Sequence, residues 1–575
     1  MARGLAARLD ALPAERPGTR AARLLWAGIS VSLAAALVAF ATGTLVGGVI
    51  ALWGFAAAAV GLGLVLPFPY AFASPLYMGV LGWLVDMLPF VILCGWTAVA
   101  LRFLYGLVRD RRRPHGGRWV LLPIALLFWA GTGILVITSL DLKHFLLLMG
   151  IQFVISVTVV AVVDRLRTLA DRTKAVSALV LLVVVLSVGV ALQWAGVPVE
   201  SLQDTEARRR VEAAYGVDAF PNSIGMVKYA RSVEPGVNKV QRELAALSRE
   251  APDLPPYDVF RPTFQAYENS LVVQFRGSAR DHAAVLAAAD IDLLFDDVGL
   301  TPANTVPRLR SFPRNALTYA GVCAALFPFA LYLAWTGVGR RRLLGRVGAA
   351  ACLFGAAFSL ARGAWAVLLL GGIYLLIDGA VNRRFKLQYL AAVGAAALVL
   401  TSFFLVVYRV DPLTGRAGGG ASVSTREDTY TDTLALLDTP KYFLFGYGTE
   451  QPRTESGTVR EGPGARYVPR AGTHSTYLNY LFRTGVPGAL LLLALYLIAG
   501  MHARSAAREK QGDERIFFTA CATSMIVVGA HAVILSLYVE PTYTLTVSVV
   551  LGLALSGVAR LDGSVIPWRN RTAAA

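Results

Sequence analysis

Residues 175–195 read AVSALVLLVVVLSVGVALQWA, an apolar run without a charge, and Arg165, Arg167, Arg172 and Lys174 stand just before it. A helix needs ~20 such residues to cross the hydrocarbon core of a bilayer. Working outward, the same pattern recurs at Leu24–Thr44, Leu45–Leu66, Trp119–Thr138, His144–Val163, Ala316–Trp335, Gly348–Ser359, Ala364–Ile377, Leu387–Val407, Tyr477–Gly500, Phe517–Tyr538 and Thr542–Ala559. A further run, Leu76–Val108, is interrupted by Asp86 and Pro89. Either it folds as a hairpin at Asp86–Pro89, or one early run does not cross. The reading is an all-α polytopic membrane protein of about 12 to 14 transmembrane helices.

Composition agrees. Of 575 residues, 56% are hydrophobic and 16% charged, against ~45–50% and ~25% in soluble domains. An ordinary soluble enzyme is excluded, and so is disorder, which needs the reverse balance. The net charge of +17 would suggest nucleic acid in a soluble chain. Here it marks the loops between spans, so no nucleic-acid partner is expected. Cys94, Cys323, Cys352 and Cys521 all lie within apolar runs without a CxxC neighbour, which gives neither a disulfide framework nor a zinc site. The N-terminus is basic, but the apolar stretch after it is too long for a cleaved signal peptide and reads as retained spans.

Lysine and arginine in short loops set orientation. Clusters at Arg109–Arg118, Arg165–Lys174, Arg340–Arg346 and Arg383–Lys386 fall on one side, the cytoplasm. The segments Gly196–Arg314 and Tyr408–Thr473 then face outward. The expected organisation is a cytoplasmic basic N-terminus (1–23), N-terminal transmembrane helices (24–195), an extracytoplasmic soluble insertion (196–314), transmembrane helices with an Arg362 hairpin (315–407), an extracytoplasmic catalytic loop (408–474), C-terminal transmembrane helices (475–560) and a cytoplasmic tail (561–575). Within the insertion, Pro235–Glu250 reads as an amphipathic helix, Ser270–Arg276 as a strand with Leu271, Val273 and Phe275 alternating, and Asp281–Ala289 as a helix. Together they suggest a small α/β unit. The 408–474 loop reads as helical in part.

Chemistry concentrates on the outward side. Arg362 stands between two apolar half-runs, where an intramembrane charge is a functional candidate by default; the competing reading is a guanidinium snorkelling to headgroups. In the loop, Tyr430, Leu434 and Leu437 fall at helical spacing, Pro440 stops that helix, and Gly446-Tyr447-Gly448 permits a tight turn. Arg426 would sit in the helix's first turn, where it opposes the dipole unless an anion is near. His474 opens a transmembrane helix, and a neutral imidazole takes a proton from a hydroxyl near pH 7; the competing reading is a polar cap at the interface. Two arginines suited to phosphate oxygens and one histidine suited to a hydroxyl form a constellation for moving a group off a lipid pyrophosphate. No Asp-x-Asp or Glu-rich motif stands beside His474, and there is no Walker or Rossmann glycine loop. Neither a metal nor a cofactor is expected.

These residues resemble the O-antigen ligase / O-antigen polymerase superfamily of bacterial envelope glycan enzymes. The resemblance runs from about Arg310 to Ala559. It rests on Ser359-x-x-Arg362-Gly363-Ala364, on Arg426 with Leu434-Ala435, Pro440 and Gly446-x-Gly448, and on His474-x-x-Tyr477-Leu478 with Gly485-x-x-Gly488. A looser element is Arg310-x-Phe312-Pro313-Arg314-Asn315. Two departures are Ser475, where an Asn is usual, and the size of the 196–314 insertion. The resemblance implies a metal-independent glycosyltransferase of the GT-C type in the bacterial cytoplasmic membrane, its active site facing the periplasm or exterior. The donor is a glycan on a polyprenyl pyrophosphate, such as undecaprenyl pyrophosphate, and the acceptor a glycan or glycolipid such as lipopolysaccharide. Arg362 and Arg426 hold the pyrophosphate, His474 serves the acceptor hydroxyl, and Arg310, Arg314, Asn315, Tyr430 and Tyr477 contribute to substrate binding. The alternatives are a transporter or flippase of lipid-linked glycan, which would want charges through a central path and repeated halves, and a structural assembly protein.

Overall fold

The computed structural model describes residues 20–41, 45–84, 88–110, 114, 123–126, 129, 142–194, 224–228, 234–250, 257–260, 270–275, 316–359, 361–381, 434, 437, 439–448, 475–534 and 540–558. In chain order the elements are α1 (Arg20–Ala41), α2 (Leu45–Val65), α3 (Phe68–Ala71), α4 (Ser74–Leu84), α5 (Leu88–Arg109), α6 (Leu142–Arg165), α7 (Leu169–Trp194), β1 (Ile224–Lys228), α8 (Glu234–Glu250), β2 (Tyr257–Phe260), β3 (Ser270–Phe275), α9 (Ala316–Thr336), α10 (Arg340–Phe358), α11 (Arg362–Val381), α12 (Pro440–Phe445), α13 (Thr476–Glu509), α14 (Gly512–Ile534) and α15 (Pro541–Leu555), with a 3₁₀ turn at Ser556–Val558.

Among the described residues six helical stretches are long and apolar enough to cross a membrane: Val46–Val65, Phe90–Arg109, Leu169–Leu192, Leu317–Thr336, Thr476–Glu509 and Gly512–Ile534. Shorter apolar helices are Trp26–Ala41, Gly363–Leu375 and Pro541–Leu555. The all-α polytopic reading holds. Of the expected span Trp119–Thr138 only residues 123–126 and 129 are described, all helical, and Leu387–Val407 lies outside the described residues.

The Leu76–Val108 run resolves as a hairpin. It breaks between α4 and α5, and the start of α4 packs back along α5, where a Cβ on Gly95 would stand 3.1 Å from Pro75. Independent contacts require this return. Gly54 and Gly61 of α2 lie against Ala36 and Ile29 of α1, so those helices run antiparallel. Arg102 near the end of α5 donates to the carbonyls of Gly63 (3.3 Å) and Leu66 (2.6 Å) at the end of α2. α2 and α5 therefore point the same way, and α4 must run back between them. With α4 rising and α5 descending, Arg109 ends on the side where α1 begins. At 11 residues α4 is only ~16 Å long, about half the hydrocarbon thickness.

The described residues of three basic clusters, among them Arg109, Arg165, Arg172 and Arg340–Arg342, gather at one end of the bundle. Arg165 at the end of α6 stacks over Phe68 and Phe103 at 5.0 and 5.7 Å. Arg172, 3% exposed, ties three elements together. It donates to Leu166 O (2.9 Å) and Ser556 O (3.0 Å), meets Glu514 at 3.4 Å and lies over Phe518 at 5.2 Å. Thr173 and Phe517 both contact Tyr332, which brings the α9–α10 turn and its Arg340–Arg342 to the same end. Arg172→Leu would strand two buried carbonyls, while Glu514 keeps Lys510 at 3.3 Å. It is expected to cost about 2–4 kcal/mol, read as a lower midpoint of thermal unfolding in detergent.

Above this end the core is continuous across α5, α6, α7, α9, α10, α13, α14 and α15. Part of the insertion matches its reading. β1, β3 and β2 form an antiparallel sheet with Ile224 opposite Gln274, and Tyr257 opposite Phe275. The amphipathic helix is α8, which packs on β2 and buries Leu244 completely. The expected helix Asp281–Ala289 lies outside the described residues.

Candidate functional site

The turn before Arg362 is stitched shut. Ser359 is fully buried. Its amide donates to Gly355 O (3.1 Å) and its hydroxyl to Ala356 O (2.8 Å), while it accepts from the Ala361 amide (3.4 Å). The Trp365 indole donates to the same Ala356 carbonyl at 2.7 Å, tying the first turn of α11 to the last turn of α10. Arg362 is the first residue of α11. Ala361 and Ala364 pack on Ala320 of α9; small residues let helix backbones approach closely in a membrane. Asn315 is the residue before α9, so its neighbour Ala316 and the head of α11 lie at the same end, opposite the basic clusters.

The start of α13 lies at that end too. Ser475 caps it, with φ −147° and ψ 132°, and its hydroxyl accepts from the Leu478 amide at 3.4 Å. The same hydroxyl donates to Ala532 O of α14 at 3.2 Å. Tyr477 is half-buried. Its hydroxyl donates to Gly529 O (3.4 Å), and its ring meets Tyr496 edge-on at 6.1 Å. Two contacts therefore pin the first turn of α13 to the last turns of α14. One residue along from Ala532, His531 meets Tyr543 of α15, and both lie against Gly321 of α9. A continuous path of contacts thus runs from Ala361 through Ala320–Gly321 and His531–Ala532 to Ser475, joining the residues that adjoin Arg362 and His474.

His474 directly precedes Ser475 in the chain. His474, Arg426, Tyr430, Arg310, Arg314 and Asn315 lie outside the described residues, as does the side chain of Arg362. Of the helix expected around Arg426, Leu434 and Leu437 are described. The Leu437 amide donates to Leu434 O at 3.1 Å, a helical-turn spacing, and Leu437 packs with Tyr447 and Phe482.

The glycine pair of the loop serves a purpose the sequence did not reveal. Pro440, expected to stop a helix, begins one: α12, capped by Thr439, whose hydroxyl accepts from the Tyr442 amide, as proline at the first helical position allows. Gly446 and Gly448 then adopt φ of 69° and 57°. Their turn docks on a break in α13 at Gly485 (φ 70°), two residues before Pro487. The break frees the carbonyls that end the first half of α13. Tyr447 N–H donates to Phe482 O (2.6 Å), Gly448 N–H to Arg483 O (3.0 Å), and the Trp129 indole to Thr484 O (3.0 Å). Arg483 returns a bond to Gly448 O at 2.7 Å. Tyr442, Tyr447 and Phe482 stack face to face at 3.9 and 4.9 Å, and Trp129 stacks on Phe445 at 5.6 Å. The Gly-x-Gly amides are thus spent on backbone carbonyls, not on a phosphate.

Beneath the first turn of α13 lies a cavity of about 20 Å³ among Thr476, Tyr480, Tyr496, Tyr543, Thr544 and Ser548. It is rich in hydroxyls and has room for one water. Tyr480 at its wall accepts from Gln152 of α6. Among the described residues no three His, Cys, Asp or Glu side chains converge to hold a metal. Sequence reasoning passed over His531, Arg483 and Trp129. The signal for the first was available, since a histidine inside the apolar run Phe517–Tyr538 is an intramembrane polar residue.

A bundle of long apolar helices, one of them broken at Gly485 where α12 docks, defines a polytopic membrane protein. Residues 347–493 match the family model described as O-antigen ligase, a stretch that contains Arg362, Arg426 and His474. Over that stretch the chain is similar to O-antigen ligases. No curated protein matches the chain.

Proposed function

We propose that the protein is a membrane glycosyltransferase that moves a glycan from a polyprenyl-pyrophosphate carrier to an acceptor hydroxyl at the outer face of the cytoplasmic membrane, as a ligase or a polymerase. The observation that carries this reading is the gathering, within the matched domain, of the residues next to Arg362 and His474 at the end opposite the basic clusters. That basic end is the cytoplasmic one by the distribution of arginine and lysine.

In this reading the acceptor oxygen attacks the anomeric carbon of the donor sugar. The bond from that carbon to the pyrophosphate oxygen breaks, and the electron pair leaves with the pyrophosphate. The acceptor proton passes to His474. Arg362 and Arg426 hold the pyrophosphate and stabilise the charge that grows on it. A cation at the first residue of α11 opposes the helix dipole, and an anion placed there would remove the conflict. Tyr430, Tyr477, Arg310, Arg314 and Asn315 line the approach. The pyrophosphate is already an activated leaving group, so the step needs neither nucleotide nor metal.

The test is transfer by the purified protein from a polyprenyl-pyrophosphate glycan, with EDTA present. Both lengthened donor and transfer to a second acceptor are read. The expected result is consumption of donor, the product ladder distinguishing polymerase from ligase. Donor that is bound but never consumed with any acceptor would overturn the reading in favour of a transporter.

A further inference from the structure

His531 is 1% exposed, three residues before the end of α14. A neutral imidazole offers one donor and one acceptor. Nδ1 lies 3.1 Å from the Tyr543 hydroxyl, and Nε2 is buried and meets no hydrogen-bond partner among the described residues. The ring carbon beside Nε2 rests on Gly321. A Cβ there would lie 2.9 Å from it and 2.8 Å from the Tyr543 ring, so only glycine accommodates the pair. Such a polar pair inside a span is costly unless it does something.

Its place suggests what. Ala532, the next residue, offers its carbonyl to the capping hydroxyl of Ser475, and His474 is joined to Ser475 by one peptide bond. Residues 535–539 connect α14 to α15, and the His531–Tyr543 bond spans that connection. The corner on which Ser475 rests is therefore held by this pair. We propose that His531 and Tyr543 form a positioning pair for His474. They fix the end of α14, and through Ala532 and Ser475 they set where the backbone before α13 carries its imidazole. This rests on the transfer reading above. It assigns to the reaction a second histidine that makes no contact with substrate.

Misplacing a catalytic group by about an ångström costs up to about 100-fold in rate. Tyr543→Phe removes the bond and keeps the ring. It is expected to lower kcat about 10- to 100-fold with the donor KM within about twofold and the unfolding midpoint only modestly lower, because one buried ring nitrogen loses its partner. His531→Phe should behave alike, and His531→Asn, whose amide stands near the Nδ1 position, should recover much of the loss. Ser475→Ala should mimic Tyr543→Phe, and the double variant should fall no further than the worse single one, because both act through one path. A wild-type kcat in Tyr543→Phe, or losses that multiply in the double variant, would overturn the pair. If His531→Phe fails to fold, Tyr543→Phe decides. His474→Ala in the same panel separates the two readings. If it is inactive while Tyr543→Phe is unimpaired, only the pair falls. If His474→Ala keeps the wild-type rate, the assignment of His474 and the pair fall together.

Discussion

His474→Ala is expected to bind the lipid-linked donor and fail to consume it, and Arg362→Lys is expected to be nearly as inactive as Arg362→Ala. The two losses have different origins. Removing the imidazole removes the group that takes the acceptor proton, worth about 10²- to 10⁴-fold. Because the imidazole serves the acceptor, donor affinity should persist, and photo-crosslinking or equilibrium binding of the lipid-linked glycan would show it. Replacing the guanidinium by an ammonium keeps the charge but loses the planar fork that meets two phosphate oxygens at once. If that fork stabilises the departing pyrophosphate, kcat should fall about 10²- to 10³-fold, the scale for removal of one charge-stabilising donor. A lysine variant with full activity would assign Arg362 a role at the headgroup level instead. Unfolding midpoints separate loss of chemistry from loss of structure.

Gly485→Ala should have the second large effect, for reasons confined to the backbone. Gly485 has φ 70° and packs on the carbonyl groups of Leu444 and Phe443, where a Cβ would collide with Leu444 C and O and stand 2.7 Å from Phe443 O. Left-handed strain of about 1–3 kcal/mol adds to overpacking of similar size. Neither neighbour can yield, because both belong to the chain of α12. The expected outcome is release of α12 from α13, seen as new proteolytic cleavage near residues 440–448 and as lost transfer. Gly500→Ala on the same helix is the control. A Cβ there meets Met525 at an ordinary 3.6 Å, and alanine favours the helix, so stability should hold or rise.

How much of this could be read beforehand follows from what each feature depends on. Crossing helices declare themselves by local composition, since lipid admits little else. The α4–α5 hairpin was one of two options because Asp86 and Pro89 show where a helix breaks but not which neighbour the pieces pack on. The Arg102 bonds to Gly63 and Leu66 decide it, and they join residues distant in sequence. Gly446-x-Gly448 announced a tight turn, while its docking partner lay beyond α13's start, in the carbonyls that Gly485 and Pro487 set free. His531 was overlooked because one histidine in an apolar run looks like a buried spectator until Tyr543 and Gly321 come to its side. For Arg362 the sequence supplied the residue, and the structure supplies the turn around Ser359 that fixes its backbone.

The break at Gly485 bears also on how the protein meets membranes of different thickness. A helix of 34 residues would be ~51 Å long if straight, far more than the ~30 Å of hydrocarbon it crosses, and such excess is taken up by tilt. In a straight helix every adjustment of tilt would swing its first turn as well. Here the first turns are anchored to α14 and to the α12 loop, and the pivot comes after them. Below the pivot α13 is buried in the core through Leu495, Ala499 and Ala503, so the bundle meets a thinner or thicker bilayer as one body, and Gly485 sets the angle between that body and the first turns around Ser475.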